Sequence, residues 1–283
     1  MAFVHRKIDV TITLGSGKTT KLTGLRVKAS IIVAGGNYLG AAEARIYGMS
    51  LDDMNVLSHI STDLTQAANN KILIEAGDDK DGMQFAYQGN INQCFADLNG
   101  QPEVFLFVMA IVGDFHLLKR VEPVSYPGTV DAADIMRDLA GKMGYGFRNN
   151  GVSVKLSTPY LPRTRIEQVR AVATAANCNC QIVDDKTMVI WPKGGNTGGN
   201  TFKLTPKTGL VGYPAYSPPG IAVTSLFNPS FQLGGKVEVE SVILPACGTY
   251  TISGMTHSIE SETPGGAWFT HLLCQAPDNY SQH

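Results

Sequence analysis

Residues 236–243 read KVEVESVI, residues 248–259 read GTYTISGMTHSI and residues 267–277 read AWFTHLLCQAP, and this run repeats the order of an earlier one. Upstream stand NKILIEAG (70–77), MQFAYQGNINQ (83–93) and EVFLFVMAIVG (103–113). A fourth pair precedes each run: ARIYGMS (44–50) in the first and TSLFNPS (224–230) in the second, each ending a strand-like segment at a turn. Within most segments apolar or β-branched residues alternate with polar ones, which sets one face of a strand on a core. Two related antiparallel β-barrels of tube type, made by doubling one β unit, account for the four correspondences together.

Outward from these runs, IDVTITL (8–14) and LRVKASIIV (25–33) carry the same period of two toward the N-terminus. Ser50 followed by Leu51, Asp52 and Asp53 is an N-cap with acids in the first turn, so a short helix is expected there. The Pro-rich stretch VEPVSYPG (121–128) marks a boundary, and beyond it the period changes. Ile135, Met136, Leu139, Ala140 and Met143 follow the N-cap Asp131 at helical spacing, and Ile166, Val169, Val172, Ala173 and Ala176 do the same, with Met136, Leu139, Ala140 and Met143 falling on Val169, Val172, Ala173 and Ala176 after a shift of 33. Each helix precedes two short strands across a polar turn, 145–148 with 152–156 and 180–183 with 187–191, which reads as two α-β-β units. PKGGNTGGN (192–200) is a flexible connection. The expected fold class is therefore α+β, mainly β, with two tube-type antiparallel β-barrels and an inserted small α/β domain. Its boundaries are 1–122 for the first barrel, 123–195 for the insert and 196–283 for the second barrel.

The 283 residues suffice for two or three cores. Charged residues make up 17% of them, against ~25% in ordinary soluble domains. Part of the surface is thus expected to be covered by protein. A formal net charge of −1 supplies no overall basic field for sequence-specific nucleic-acid binding. No apolar run approaches the ~20 residues of a membrane span, and the N-terminal MAFVHRKIDVTITL has no continuous apolar h-region, so neither membrane insertion nor secretion is expected.

No catalytic or metal constellation emerges. Gly15-Ser16-Gly17-Lys18-Thr19 is a fragment of a phosphate loop, but Ile12 stands where the motif needs glycine and KTTKLTGLRV continues as turn and strand, so a hairpin loop is expected. His5, His59, His116, His257, His271 and His283 are scattered, and a pair of histidines without a third ligand is no zinc site. Asp52-Asp53, Asp78-Asp79-Lys80-Asp81 and Asp184-Asp185 fall at turns, where carboxylates cap backbone N–H groups. Cys94, Cys178, Cys180, Cys247 and Cys274 are odd in number and irregular in spacing, which excludes a disulfide framework and suits buried thiols. No cofactor and no enzymatic activity are expected. Two Pro-interrupted aromatic segments, GYPAYSPPG (212–220) and SLFNPSF (225–231), supply Tyr213, Tyr216, Phe227 and Phe231 as candidate interface residues, because interface cores are enriched in Tyr and Phe, with packing inside the chain as the alternative.

The order of these segments resembles the baseplate hub proteins of tailed phages, especially those of Mu-like contractile tails. The resemblance rests on GLVGYPAYSPPGIAVTSLFNPSFQLGGKVEVES (209–241) and GTYTISGMTHSIESETPGGAWFTHLLC (248–274). ARIYGMS, KILIEAGDD, MQFAYQGNI and SYPGTVDAADIMRDLAGKMGYGFRNNGVSVKL (125–156) support it. It implies a structural, non-enzymatic homotrimer in the virion tail baseplate, assembled in the host cytoplasm. Three subunits with two barrels each would form a pseudo-sixfold ring joining the tail tube or distal tail proteins to the central spike, with the tape measure protein in its lumen. The chain is shorter than some members, so outer accessory domains are expected to be missing. The alternative reading is a cell-wall (peptidoglycan) binding module of a tail tip.

Overall fold

The computed structural model describes residues 5–35, 38–58, 69–218 and 220–276, so His59 and His283 lie outside the described residues. Contacts divide the chain into two compact units. The first comprises Met1–Ile32, Gly40–Leu118 and His257–Trp268; the second comprises Val33–Leu39, Lys119–Thr256 and Phe269–His283.

In the first unit the chain forms β1 (Arg6–Thr13), β2 (Thr19–Leu22), β3 (Val27–Val33), β4 (Ala41–Tyr47), α1 (Leu51–Leu57), β5 (Lys71–Asp78), β6 (Gly82–Asp97), β7 (Phe105–Ile111) and α2 (Asp114–Leu118). Antiparallel ladders join them in the order β2-β1-β5-β6-β7-β4-β3. Alternation in the sequence becomes alternation in burial. Ile8, Val10 and Ile12 of β1, Ile72, Ile74 and Ala76 of β5, and Leu106, Val108 and Ala110 of β7 all turn inward, none more than 1% exposed. The expected hairpin at 15–19 is present: the Leu14 N–H donates to Lys18 O and Gly17 takes a positive φ of 87°. Ser50 caps α1, its Oγ accepting from the Asp53 N–H at 3.1 Å.

The second unit holds β8 (Val124–Ser125), β9 (Thr129–Asp131), α3 (Ala132–Lys142), β10 (Gly146–Asn149), β11 (Lys155–Ser157), β12 (Tyr160–Leu161), α4 (Arg165–Ala175), β13 (Cys178–Val183) and β14 (Thr187–Pro192). These are followed by β15 (Phe202–Leu204), β16 (Leu210–Ser217), β17 (Gly220–Leu226), β18 (Lys236–Val239), β19 (Gly248–Glu260) and β20 (Trp268–Gln275). The last four residues of β19, the first of β20 and the turn between them belong to the first unit.

A second run of ladders, called the second sheet below although β19 also borders β3, has the order β16-β17-β20-β19-β18-β15. Position for position this is the order β3-β4-β7-β6-β5-β1 of the first. The registers match as well: β4 begins opposite the end of β7, Ala41 on Ile111, and β17 begins opposite the end of β20, Gly220 on Gln275. Both members of each pair bury every second residue. The copies differ at one end, where β1 runs antiparallel to β5 but β15 runs parallel to β18. Leu204, Ile221, Val223, Phe231, Val237, Val239, Tyr250, Ile252 and Leu272 form the core beneath the second sheet.

Closed barrels are not what the ladders form. Among the described residues no ladder joins β2 back to β3, or β15 back to β16, so each sheet stays open within one chain.

The two helices bury the residues that their spacing selects: Ile135, Met136, Leu139 and Ala140 on α3 with its C-cap Met143, and Ile166, Val169, Val172 and Ala173 on α4 with its C-cap Ala176. Asp131 caps α3 through the Ala133 N–H, and Glu167 accepts from the Thr164 N–H at the start of α4. Only the second of the expected α-β-β units forms its hairpin, β13 with β14 around the positive-φ turn Asp184-Asp185. In the first unit of that pair, Asn149 binds both backbone groups of Val152 and Gly151 takes φ 95°, which turns the chain away. β10 therefore pairs in parallel with β14, and β11 pairs with β9.

Ile74 is fully buried in the middle of the first sheet. Ile74→Ala removes three methyl-sized groups from a close-packed site and is expected to cost about 2–5 kcal/mol. Urea unfolding followed by tryptophan fluorescence should show the midpoint falling with the slope unchanged.

Candidate interaction surfaces

Among the described residues no group of three or more His, Cys, Asp or Glu side chains is gathered in a way that would hold a metal ion. The thiols behave as small apolar groups: burial pushes Cys94, Cys180 and Cys274 up to about 12, far from a reactive thiolate. The acidic clusters are structural. Asp78 Oδ1 accepts from the Lys80 and Asp81 N–H groups, and Asp185 accepts from the Tyr145 hydroxyl at 2.8 Å. His271 is exposed and shares a hydrogen bond with Thr224 across β17 and β20. His257 is 2% exposed, on the inward-facing side of β19 between Met255 and Ile259.

What the surface offers instead is uncovered apolar area on strand edges and tips. β16 ends the second sheet, and on it Tyr213 and Tyr216 are 70% and 69% exposed. They stand there because the strand is bulged between Val211 and Ala215, with Gly212 at φ 69° and Pro214 buried. A proline has no N–H to give a ladder, and a bulge twists an edge, both of which suit a strand that ends a sheet. Phe227 is half-buried after β17. Phe231 lies inside the core of the second unit, its ring 5.2 Å from that of Phe202. Tyr213 and Tyr216 are thus the two of the four sequence-selected aromatics that face outward.

Sequence reading passed over the tip of the β6–β7 hairpin in the first unit. Phe95 and Leu98 are exposed there, with the Phe95 ring 5.0 Å from Phe107. Tyr47 and Phe105 pair alongside at 5.3 Å, with the Arg26 guanidinium over Tyr47 at 3.9 Å. The signal was present as four aromatics close to one end of β4, β6 and β7. Alternation alone could not say which of them lacked a cover.

Burial shapes one titration. The His257 imidazole is pushed down from its ordinary 6.5 to about 4 by desolvation, so the folded protein holds it neutral. An unfolded chain protonates near 6.5, and stability is therefore lost as pH falls from 6.5 towards 4, by up to about 3 kcal/mol from this group. Denaturation midpoints should fall over that window, and His257→Gln should flatten the slope there while leaving the steeper carboxylate-driven loss below it.

The sequence profile of a family described as baseplate hub gp41 matches residues 7–265. No curated protein matches the chain. Among solved structures, the tail protein from Neisseria meningitidis MC58 superposes with a TM-score of 0.64 at 10% identity, covering 95% of this chain and 96% of that one. The 43 kDa tail protein of prophage MuSo2 from Shewanella oneidensis does so at 0.62 and 10%, covering 95% and 99%. Prophage tail protein gp18 from Listeria monocytogenes EGD-e follows at 0.52 and 8%, covering 95% of each chain. At such identities the superpositions establish a common fold.

Proposed function

Since the chain belongs to the baseplate hub gp41 family, a structural component of the phage virion's tail baseplate, we propose that it acts as a non-enzymatic scaffold: a homotrimer whose six sheets form a pseudo-sixfold ring. The observation that carries this reading is the repeated ladder order, β3-β4-β7-β6-β5-β1 and β16-β17-β20-β19-β18-β15. Two equivalent sheets per chain make six in three chains, so one face can meet a sixfold tail tube while the whole keeps the threefold symmetry of a central spike. Heterologous contacts that close on themselves produce a ring rather than a filament.

Residues 1–122 and 196–283 act as the two tube units, and 123–195 as an insert carried outside the repeat. Barrel closure then belongs to the assembly: open sheets from successive copies complete one another around a channel through which the tape measure protein and genome pass. A contractile tail is the setting the reading favours. Covered edges also explain why so little of the chain is charged, since obligate interfaces are depleted of charge at their cores.

Light scattering of the purified full chain, alone and with a spike protein, should give the mass of three copies, and electron microscopy should show a threefold particle with a central hole. A monomer at micromolar concentration in both preparations contradicts the reading.

A further inference from the structure

The doubling gives each chain two equivalent edge strands and two equivalent hairpin tips, but only one edge of the two is covered. β3 and β16 hold the same place, each outside its counterpart β4 or β17. Within the first unit, β3 is bordered by β19. The Ser261 N–H donates to Val27 O at 2.9 Å, the Val27 N–H donates to Ser261 Oγ at 3.2 Å, and Lys28 Nζ lies 3.7 Å from Glu260 Oε2. Ile259 is 1% exposed there.

Apart from the Leu210 N–H, which donates to Thr205 O, β16 has no such cover among the described residues, and it ends its sheet with Tyr213 and Tyr216 exposed. The hairpin tip equivalent to the one that covers β3 is that of β6 and β7. Asp97 faces Phe105 there, and beyond it Leu98 takes the place that Ile259 holds in the second copy, counted from the bond between the Glu260 N–H and Ala267 O. Leu98 is 41% exposed, whereas Ile259 is buried. One copy of the motif thus has an apolar tip with no edge, and the other has an edge with no tip.

We propose that the β6–β7 tip of one copy covers β16 of a second copy, repeating between chains the contact that covers β3 within one. Leu98 and Phe95 then lie against the apolar rings of Tyr213 and Tyr216, with backbone hydrogen bonds confined to either side of the Gly212–Pro214 bulge, where the proline cannot donate. The contact is head-to-tail: the patch that gives is different from the patch that receives, so each copy can engage two neighbours and a closed set leaves neither patch exposed. It rests on the ring reading above and assigns that ring its joint.

Equivalent positions supply the test. Lys28 faces Arg45, the fifth residue of β4, and Val211 faces Thr224, the fifth residue of β17, so Val211 stands where Lys28 does and Asn99 where Glu260 does. Cys247 is half-buried and the other four cysteines are buried, so the full chain with Cys247→Ser provides a quiet background. Asn99→Cys and Val211→Cys are introduced singly and together and treated with a short bis-maleimide. Co-expressed single variants should link to each other and neither should link to itself, while the double variant should give a covalent ladder that stops at three copies. Linking of Asn99→Cys to itself, or a three-copy mass with no link between the two variants, overturns this joint and leaves the ring standing. A chain that stays monomeric overturns both.

Discussion

An edge strand is a row of N–H and C=O groups with no partner, and in this protein that constraint governs more than any single side chain. A sheet that stays open must either blunt its edges or have them covered, because unpaired edges template aggregation. Here β16 is partly blunted by the Gly212–Pro214 bulge, β3 is bordered by β19, and among the described residues neither sheet closes on itself. Apolar alternation builds the sheets, but it is the treatment of their ends that distinguishes one copy from the other.

Duplication makes those ends comparable. With β4, β5, β6 and β7 answered by β17, β18, β19 and β20 in the same ladder order, any difference between the copies identifies something the repeat alone does not require. One such difference is β15, parallel to β18 where β1 is antiparallel to β5. Another lies beside the tip of β19 and β20, where Ile259, Ser261 and Trp268 are buried, whereas the β6–β7 tip leaves Phe95 and Leu98 exposed. A family of tail baseplate hubs supplies the context in which an exposed tip and a bare edge have somewhere to go.

Much of this was legible in the residues, and what was not has a common cause. Period-two segments such as EVFLFVMAIVG became β7, and the helical spacing of Ile135, Met136, Leu139 and Ala140 became the buried face of α3, because both patterns are local. Which strand meets which is not local. The parallel pairing of β10 with β14 depends on Asn149 turning the chain at Val152, and the assignment of residues 257–268 to the first unit depends on contacts far away in sequence. Tyr213 and Tyr216 were selected together with Phe227 and Phe231 from proline-interrupted segments, and only the fold shows these two to be exposed. Phe231, in the same kind of segment, is held inside by Phe202 and the core of the second unit, a choice made by packing rather than by composition.

Hydrogen–deuterium exchange compared between assembled protein and protein dissociated by dilution tests the central claim most directly. Those amides of Ala215, Tyr216 and Ser217 on β16 that β17 leaves unbonded should exchange slowly in the assembly and quickly in the separated chain, together with those of the β6–β7 tip, while β3 stays slow in both. Equal rates on β16 in the two states would mean that no second copy covers this edge.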